Sequence, residues 1–282
     1  MIGLFDSGHG GLTVFRALVQ RFPHLHFVYL GDHANAPYGN RSSEEIVNLT
    51  RDGIERLFAQ GCPLVVLACN TATAIACRTL QQEWLPDAGY AGHNVLGVVA
   101  PMVEAATQMP WAVTSPQYPQ KYNTDSIAVF GTERTISSGV YQEEILKRCP
   151  KVTVIEQECP DLAGAIEEAR PEEELDAMIG SYVAMLLENT RGKAPERVIL
   201  GCTHYPLVEH LFVRHLPPST RILSQPQVVA DSLEDYLARH LHYADHPPET
   251  SQTSLLTTGD PDAVARSLEI FWPEPQIFEP AG

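Results

Sequence analysis

Two cysteines lie at the ends of two similar apolar segments of the chain. Cys69 follows the run 64–68, and Cys202 follows the run 197–201. Both runs are rich in aliphatic and β-branched residues, as is typical of a buried parallel strand, and ligands bind at the carboxyl ends of such strands. A thiol has a pKa of about 8.5 in model peptides, so it can act as an acid or a base near neutral pH. The sequence therefore predicts two thiols at strand ends that can remove and return protons.

The likeness between the two segments extends along the chain. Further pairs of apolar runs occur in the same order, namely 1–7 with 126–132, 27–30 with 152–155 and 95–98 with 221–224. Helical patterns alternate with these strands, which favours parallel sheets with right-handed crossovers. We predict an α/β protein of two pseudo-symmetric domains, each a mainly parallel sheet flanked by helices, with the active site in the cleft between them.

The first predicted domain consists of two separate segments of the chain, and the second is one continuous segment. The first comprises residues 1–97 and about 226–282 and carries Cys69, because a helix near 228–242 returns to the first half. The second comprises residues 98–225 and carries Cys202. Proline-rich stretches at 109–125 and 243–253 lack periodicity and are predicted as loops, the second of which leads to a short tail.

Composition limits the classes of protein to consider. With 282 residues and 44% hydrophobic content, the chain can bury a substantial core. A net charge of −16 argues against nucleic acid or an anionic membrane as a partner. No segment approaches the roughly 20 apolar residues of a spanning helix, and no signal peptide is evident. We expect a cytoplasmic protein whose six cysteines are thiols rather than disulfides.

A metal site is not expected from the cysteine and histidine pattern. No Cys-x-x-Cys pair occurs among the six cysteines. Cys202 and His204 alone would offer two ligands on adjacent positions of one turn, whereas zinc needs about three or four.

A glycine-rich turn at 6–11 follows the first predicted strand. The lysine of a phosphate-binding loop and the third glycine of a dinucleotide fingerprint are both missing, since Leu12, Thr13 and Phe15 stand there. The free amides of a strand-to-helix turn would favour an anion, here a carboxylate. The alternative is a tight turn in which Asp6 merely caps the helix.

Six short motifs, taken in order, resemble one known family over nearly the whole chain. They are Asp6-Ser7-Gly8, Pro37-Tyr38-Gly39, Ala68-Cys69-Asn70-Thr71-Ala72, Gly131-Thr132 with Thr135 and Tyr141, Gly201-Cys202-Thr203-His204-Tyr205-Pro206, and Thr258-Gly259-Asp260-Pro261. The chain is similar to the cofactor-independent racemases of aspartate and glutamate. The chain departs from the family pattern at His9 and His33, and its loop at 109–125 looks longer than usual.

The resemblance implies a role for each matching residue. Cys69 and Cys202 would be the two proton carriers, with Asp6 beside the first, His204 beside the second, and Glu167 near the second thiol. Substrate would be bound through hydroxyl, amide and backbone N–H donors of Ser7, Tyr38, Gly39, Asn70, Thr71, Thr132, Thr135 and Thr203. Asp6 and His204 would also belong to the binding set. Two thiols suit racemisation, because a proton must leave one face of Cα and return to the other.

No cofactor is expected. Pyridoxal phosphate needs a Schiff-base lysine, and Lys121, Lys147, Lys151 and Lys193 fall in predicted loops or polar helix ends. The resemblance implies glutamate as the substrate, D-glutamate for peptidoglycan as the product, and leaves a homodimer open. Because five residues precede Asp6, we do not expect an N-terminal activator segment. Two alternatives stay open: a two-cysteine racemase of aspartate or a hydantoin, and a non-catalytic binding protein.

Overall fold

The computed structural model describes residues 1–121, 125–190, 192–244, 253–274 and 276–282. The strands are β1 (Ile2–Asp6), β2 (Phe27–Gly31), β3 (Leu64–Leu67), β4 (Asn94–Gly97), β5 (Ser126–Gly131), β6 (Thr153–Glu158), β7 (Arg197–Gly201), β8 (Arg221–Leu223), β9 (Thr253–Thr257) and β10 (Phe278–Pro280). The helices are α1 (Leu12–Arg21), α2 (Ser43–Ala59), α3 (Asn70–Ala72), α4 (Val99–Thr107), α5 (Glu133–Ser137), α6 (Val140–Arg148), α7 (Leu162–Glu167), α8 (Glu172–Asn189), α9 (Glu209–His215), α10 (Gln225–Arg239) and α11 (Pro261–Arg266).

The chain divides into two compact units, Met1–Val98 with Val229–Gly282 and Val99–Val228. In the first unit, six strands form a parallel sheet in the order β10-β9-β2-β1-β3-β4. In the second unit, four strands form a parallel sheet in the order β6-β5-β7-β8. The order β2-β1-β3-β4 repeats as β6-β5-β7-β8, so the predicted strand pairs are confirmed in identity and in position.

Burial on both faces explains why the strands read as continuous apolar runs. In β5, Ala128 and Phe130 pack against a core that includes α8 and α9, whereas Ile127 and Val129 pack against α4 and α6. Successive side chains of a strand point to opposite faces, so a sheet covered on both sides needs an apolar residue at every position. Helices therefore flank both faces of this sheet.

The tail has more structure than the sequence predicted. Strand β9 pairs in parallel with β2, and β10 pairs with β9, so the tail extends the first sheet by two strands. These strands are short, and their stability comes from pairing with an existing edge, which local sequence does not reveal. The predicted loops at 109–125 and 243–253 include residues 122–124 and 245–252, which lie outside the described ranges.

Three local details also differ from the predictions. The sequence pattern after Cys69 predicts one helix from about Thr71 to Trp84, whereas the structure begins it as α3 and continues it through two wide π-helical turns, Thr73–Cys77 and Leu80–Trp84. The pattern after β2 predicts a loop at 31–39, and the structure places short 3₁₀ turns there, at His33–Asn35 and Tyr38–Asn40. Helix α10 begins three residues before the predicted start. Among the described helices, none combines the length and apolar character that crossing a membrane requires.

Candidate active site

In the first unit, Asp6, Ser7 and Cys69 meet at the carboxyl ends of adjacent strands. Strand β1 ends at Asp6, and β3 runs beside it in parallel, so the residues that follow the two strands become neighbours. The Ser7 Oγ lies 3.4 Å from the Cys69 Sγ. Asp6 is buried, and its Oδ1 accepts a 2.8 Å hydrogen bond from the backbone N–H of Gly8. The carboxylate is thus fixed within the turn that carries Ser7.

Gly11 allows Asp6 to occupy this position. A Cβ on Gly11 would lie 2.6 Å from the Asp6 Cβ and 2.9 Å from its Oδ2. Contacts that short do not occur between carbon atoms of folded proteins, so any larger residue would displace the carboxylate. The glycine-rich turn therefore lets Asp6 pack against the start of α1, although its side chain does not cap that helix, whose N-cap residue is Gly11.

Cys69 is the N-cap residue of α3. Its Sγ accepts a hydrogen bond from the backbone N–H of Ala72 at 3.4 Å, and Asn70 and Thr71 are buried in the first turn behind it. The first N–H groups of a helix lack intrahelical partners and carry partial positive charge, which favours an anion. A thiolate at this position is stabilised, because helix N-termini favour the charged form of cysteine.

The turn after β2 presents backbone groups rather than the Tyr38 hydroxyl. That hydroxyl donates a 2.6 Å hydrogen bond to the Asp32 Oδ2, and burial raises the pKa of Tyr38 far above its usual value. The phenol therefore stays protonated, and its hydrogen bond goes to Asp32. Gly39 borders open space, where an added Cβ would meet no atom within 4 Å. The Tyr38 and Gly39 N–H groups begin a 3₁₀ turn, where such groups lack partners within the turn.

In the second unit, Cys202, His204 and Glu167 form a chain of contacts. The Cys202 Sγ lies 3.6 Å from the His204 Nδ1, and the His204 Nε2 lies 3.8 Å from the Glu167 Oε2. Burial by itself lowers the pKa of His204, but the contacts with Cys202 and Glu167 outweigh burial and raise this pKa to about 10. His204 is therefore an imidazolium at neutral pH, and it can stabilise a thiolate or return a proton to it.

The predicted threonines lie at neighbouring strand ends of the same unit. Gly131 at the end of β5 pairs with Gly201 at the end of β7, so Thr132 and Cys202 follow adjacent strands. The Thr132 hydroxyl caps α5 by accepting from the Thr135 N–H, and the two hydroxyls lie 3.0 Å apart. Thr203 is buried directly after Cys202. The structure thus gathers the predicted residues of each unit at one sheet edge.

The remaining cysteines have different surroundings. All six cysteines are buried, and no disulfide joins them in the described part of the chain. Burial raises the pKa of both Cys62 and Cys77 to about 12, and burial also raises the pKa of Cys149. Their thiols stay protonated near neutral pH, so they behave as small apolar core residues. Among the residues that the structure describes, histidine, cysteine and carboxylate side chains form no group of three that could hold a metal ion.

Asp32 was not among the site residues predicted from the sequence. Asp32 follows the last residue of β2, so the strand-end argument used for the cysteines would also have found it. His9 packs on Phe271, and the His33 Nδ1 lies 2.9 Å from the Thr257 Oγ1. Both histidines therefore contact the tail.

We expect the ring of His204 to titrate far above the usual histidine range. Because its folded pKa exceeds the ordinary value of about 6.5, the stabilisation from its charged form is fully present below that pH. It is lost as the pH rises through about 10. Nuclear magnetic resonance of the ring protons should show a midpoint near 10. Glu167→Gln should lower this midpoint, and a wild-type midpoint near the ordinary value would contradict the assignment.

The class of protein follows from these observations. The chain is an α/β protein of two similar parallel-sheet units, each with one thiol at a strand end beside an acid/base side chain. The family model described as Asp/Glu/Hydantoin racemase matches residues 2–232. The chain belongs to the Asp/Glu/Hydantoin racemase family.

Individual relatives agree over nearly the whole chain. A glutamate racemase of Phenylobacterium zucineum is 50% identical over 99% of each chain, and one of Caulobacter is 48% identical over the same shares. The crystal structure of a glutamate racemase from Bacillus anthracis superposes with a TM-score of 0.84 at 28% identity, covering 99% of this chain and 96% of that one. These matches confirm the predicted α/β fold of two mainly parallel sheets and the family resemblance.

Proposed function

We propose that this protein interconverts L- and D-glutamate by two-base proton transfer, with Cys69 and Cys202 as the proton carriers. The observation that carries the proposal is the duplicated strand-end thiol, one in each unit, each beside an acid/base partner. The similarity to glutamate racemases over the full length supports glutamate as the substrate.

In the proposed reaction, one thiolate removes the proton from Cα of a bound amino acid. The C–H electron pair stays on carbon, which becomes a planar carbanion, and the protonated thiol on the opposite side supplies its proton to the other face. One thiol gains a proton and the other loses one, so the protein ends each turnover with the reverse protonation.

The neighbours of each thiol have distinct proposed roles. Asp6, held beside Ser7, assists Cys69, which we assign to D-glutamate. His204, held by Glu167, assists Cys202, which we assign to L-glutamate. An imidazolium 3.6 Å from the thiol can hold the thiolate form without a metal ion.

Substrate binding is proposed to rely on neutral donors. The neutral set comprises Ser7, Asn70, Thr71, Thr132, Thr135, Thr203 and the Tyr38 and Gly39 backbone. The charged side chains of Asp6 and His204 complete the proposed binding site. Hydroxyl, amide and N–H donors can hold two carboxylates by charge-assisted hydrogen bonds. Such donors are suited to an anionic substrate on a chain whose net charge of −16 would repel it at long range.

We further propose that the enzyme acts in the cytoplasm and supplies D-glutamate for peptidoglycan. Reducing conditions there keep both carriers as thiols, which the reaction requires. The partner is the free amino acid, and neither nucleic acid nor a membrane is part of the proposal. Aspartate is the second candidate substrate, because the matching family model includes aspartate racemases by its description.

Purified protein should racemise glutamate without added pyridoxal phosphate or metal. Circular dichroism of samples incubated with L-glutamate or D-glutamate should decay to zero from either side, and parallel samples with aspartate test the second candidate. Dialysis against a chelator should leave the rate unchanged, since both carriers are side chains. Loss of activity on dialysis with recovery on adding a metal ion would contradict the mechanism.

A further inference from the structure

The tail at 253–282 contacts the same turn that presents Tyr38 and Gly39. The tail lies beyond the residues matched by the family model, which end at 232. Strand β9 nevertheless pairs with β2, and the Thr258 N–H continues this ladder by donating to the Gly31 carbonyl at 3.2 Å. The first tail residue after β9 therefore lies beside the first residue after β2.

One tail hydroxyl makes two hydrogen bonds to this turn. The Thr258 Oγ1 donates to the Asp32 Oδ1 at 2.6 Å and accepts from the backbone N–H of Ala34 at 3.1 Å. A hydroxyl can do both, because it carries one donor and two acceptor sites. Serine shares this ability, whereas valine has the same shape and neither function.

Asp32 transmits the position of Thr258 to Tyr38. Asp32 is 3% exposed, and its Oδ1 also accepts from the Asn35 side chain at 3.0 Å, while its Oδ2 accepts from the Tyr38 hydroxyl at 2.6 Å. The carboxylate thus joins the first 3₁₀ segment, through Asn35, to the second, through Tyr38, and it joins both to Thr258 of the tail. Hydrogen bonds to a charged, buried group are stronger than those between neutral groups.

We propose that Thr258 is a positioning residue for substrate binding, acting through Asp32. Its hydroxyl fixes the carboxylate, the carboxylate fixes the Tyr38 ring, and the ring holds the Tyr38 and Gly39 N–H groups toward the open space beside Gly39. This inference rests on the proposed function, because those N–H groups are assigned to a substrate carboxylate. The tail is then part of the binding site rather than a cover for the sheet edge.

Thr258→Val tests the proposal with two readouts. We expect hydrogen exchange in the segment 32–40 to quicken, and KM to rise by about tenfold for both enantiomers while kcat changes little, because weakened binding affects ground state and transition state alike. Thr258→Ser should restore both values. The matched control Thr253→Val changes an exposed threonine at the start of β9, five residues before Thr258, and should leave both values as in the wild type.

A second variant removes the hydrogen bond between the Tyr38 hydroxyl and the Asp32 Oδ2. Tyr38→Phe removes the other hydroxyl, so its effect on KM should combine with that of Thr258→Val less than additively. If Thr258→Val does not fold, the KM and the hydrogen exchange of Tyr38→Phe alone test the proposal. A lower melting temperature with unchanged KM and unchanged exchange would overturn the proposal. Exchange needs no turnover, so a wild type inactive on glutamate would contradict the proposed function without contradicting the coupling.

Discussion

Replacing either strand-end thiol by a hydroxyl should reduce racemisation by about 10²–10⁴-fold, the usual contribution of a positioned acid or base. Cys69→Ser and Cys202→Ser keep the size of the side chain, but a serine hydroxyl is a far weaker base than a thiolate. Both directions should fall in each variant, because every turnover needs one carrier on each face of Cα. The measurement is the initial rate with each enantiomer, followed by circular dichroism.

The other cysteines provide the matched controls. Cys62→Ser and Cys77→Ser place the same hydroxyl in buried positions outside the strand-end sites. Burying a hydroxyl costs roughly 1–3 kcal/mol of the free energy of unfolding, so these variants should melt earlier but keep their turnover. Equal losses of activity across all four variants would show that the thiols matter for folding only.

The two thiol partners should affect the two directions differently. His204→Asn removes the imidazolium beside Cys202, and Asp6→Asn removes the carboxylate beside Cys69, each at a cost of about tenfold in the proton transfer that it assists. We expect kcat to fall unequally for L-glutamate and D-glutamate, with the inequality reversed between the variants. The ratio of the two kcat/KM values cannot change, because it equals the equilibrium constant between enantiomers, which symmetry fixes. KM in each direction must therefore change together with kcat.

Isotope effects separate the two steps directly. With α-deuterated substrate, His204→Asn should raise the primary isotope effect for L-glutamate, since removal of that proton by Cys202 becomes the slower step. Asp6→Asn should raise it for D-glutamate instead. Ser181→Ala is a matched control, because Ser181 is exposed on α8 and its hydroxyl bonds only locally, to the Met178 carbonyl. Equal isotope effects from both enantiomers in both partner variants would refute the assignment of one partner to each thiol, and the two-base mechanism would stand.

Residue type and order were enough to predict the strands and the two thiols. A strand that is buried on both faces needs apolar residues throughout, so the eight paired runs and their matched order are visible in the sequence. Polar residues directly after such runs, as at Cys69 and Cys202, indicate the carboxyl edge of a sheet because parallel strands end on the same side. The family resemblance then assigned roles to the residues that follow.

Only the tertiary structure determines the contacts between residues that are far apart in the chain. The tail strands β9 and β10 lie outside the duplicated pattern of apolar runs, and they join the first sheet by pairing, β9 with β2 and β10 with β9. The Tyr38 hydroxyl seemed available for substrate in the sequence, but folding commits it to Asp32, a residue from the preceding strand end. Thr258 reaches that carboxylate across 226 residues of chain. No local pattern encodes such a contact, because it depends on which strands become neighbours in the sheet.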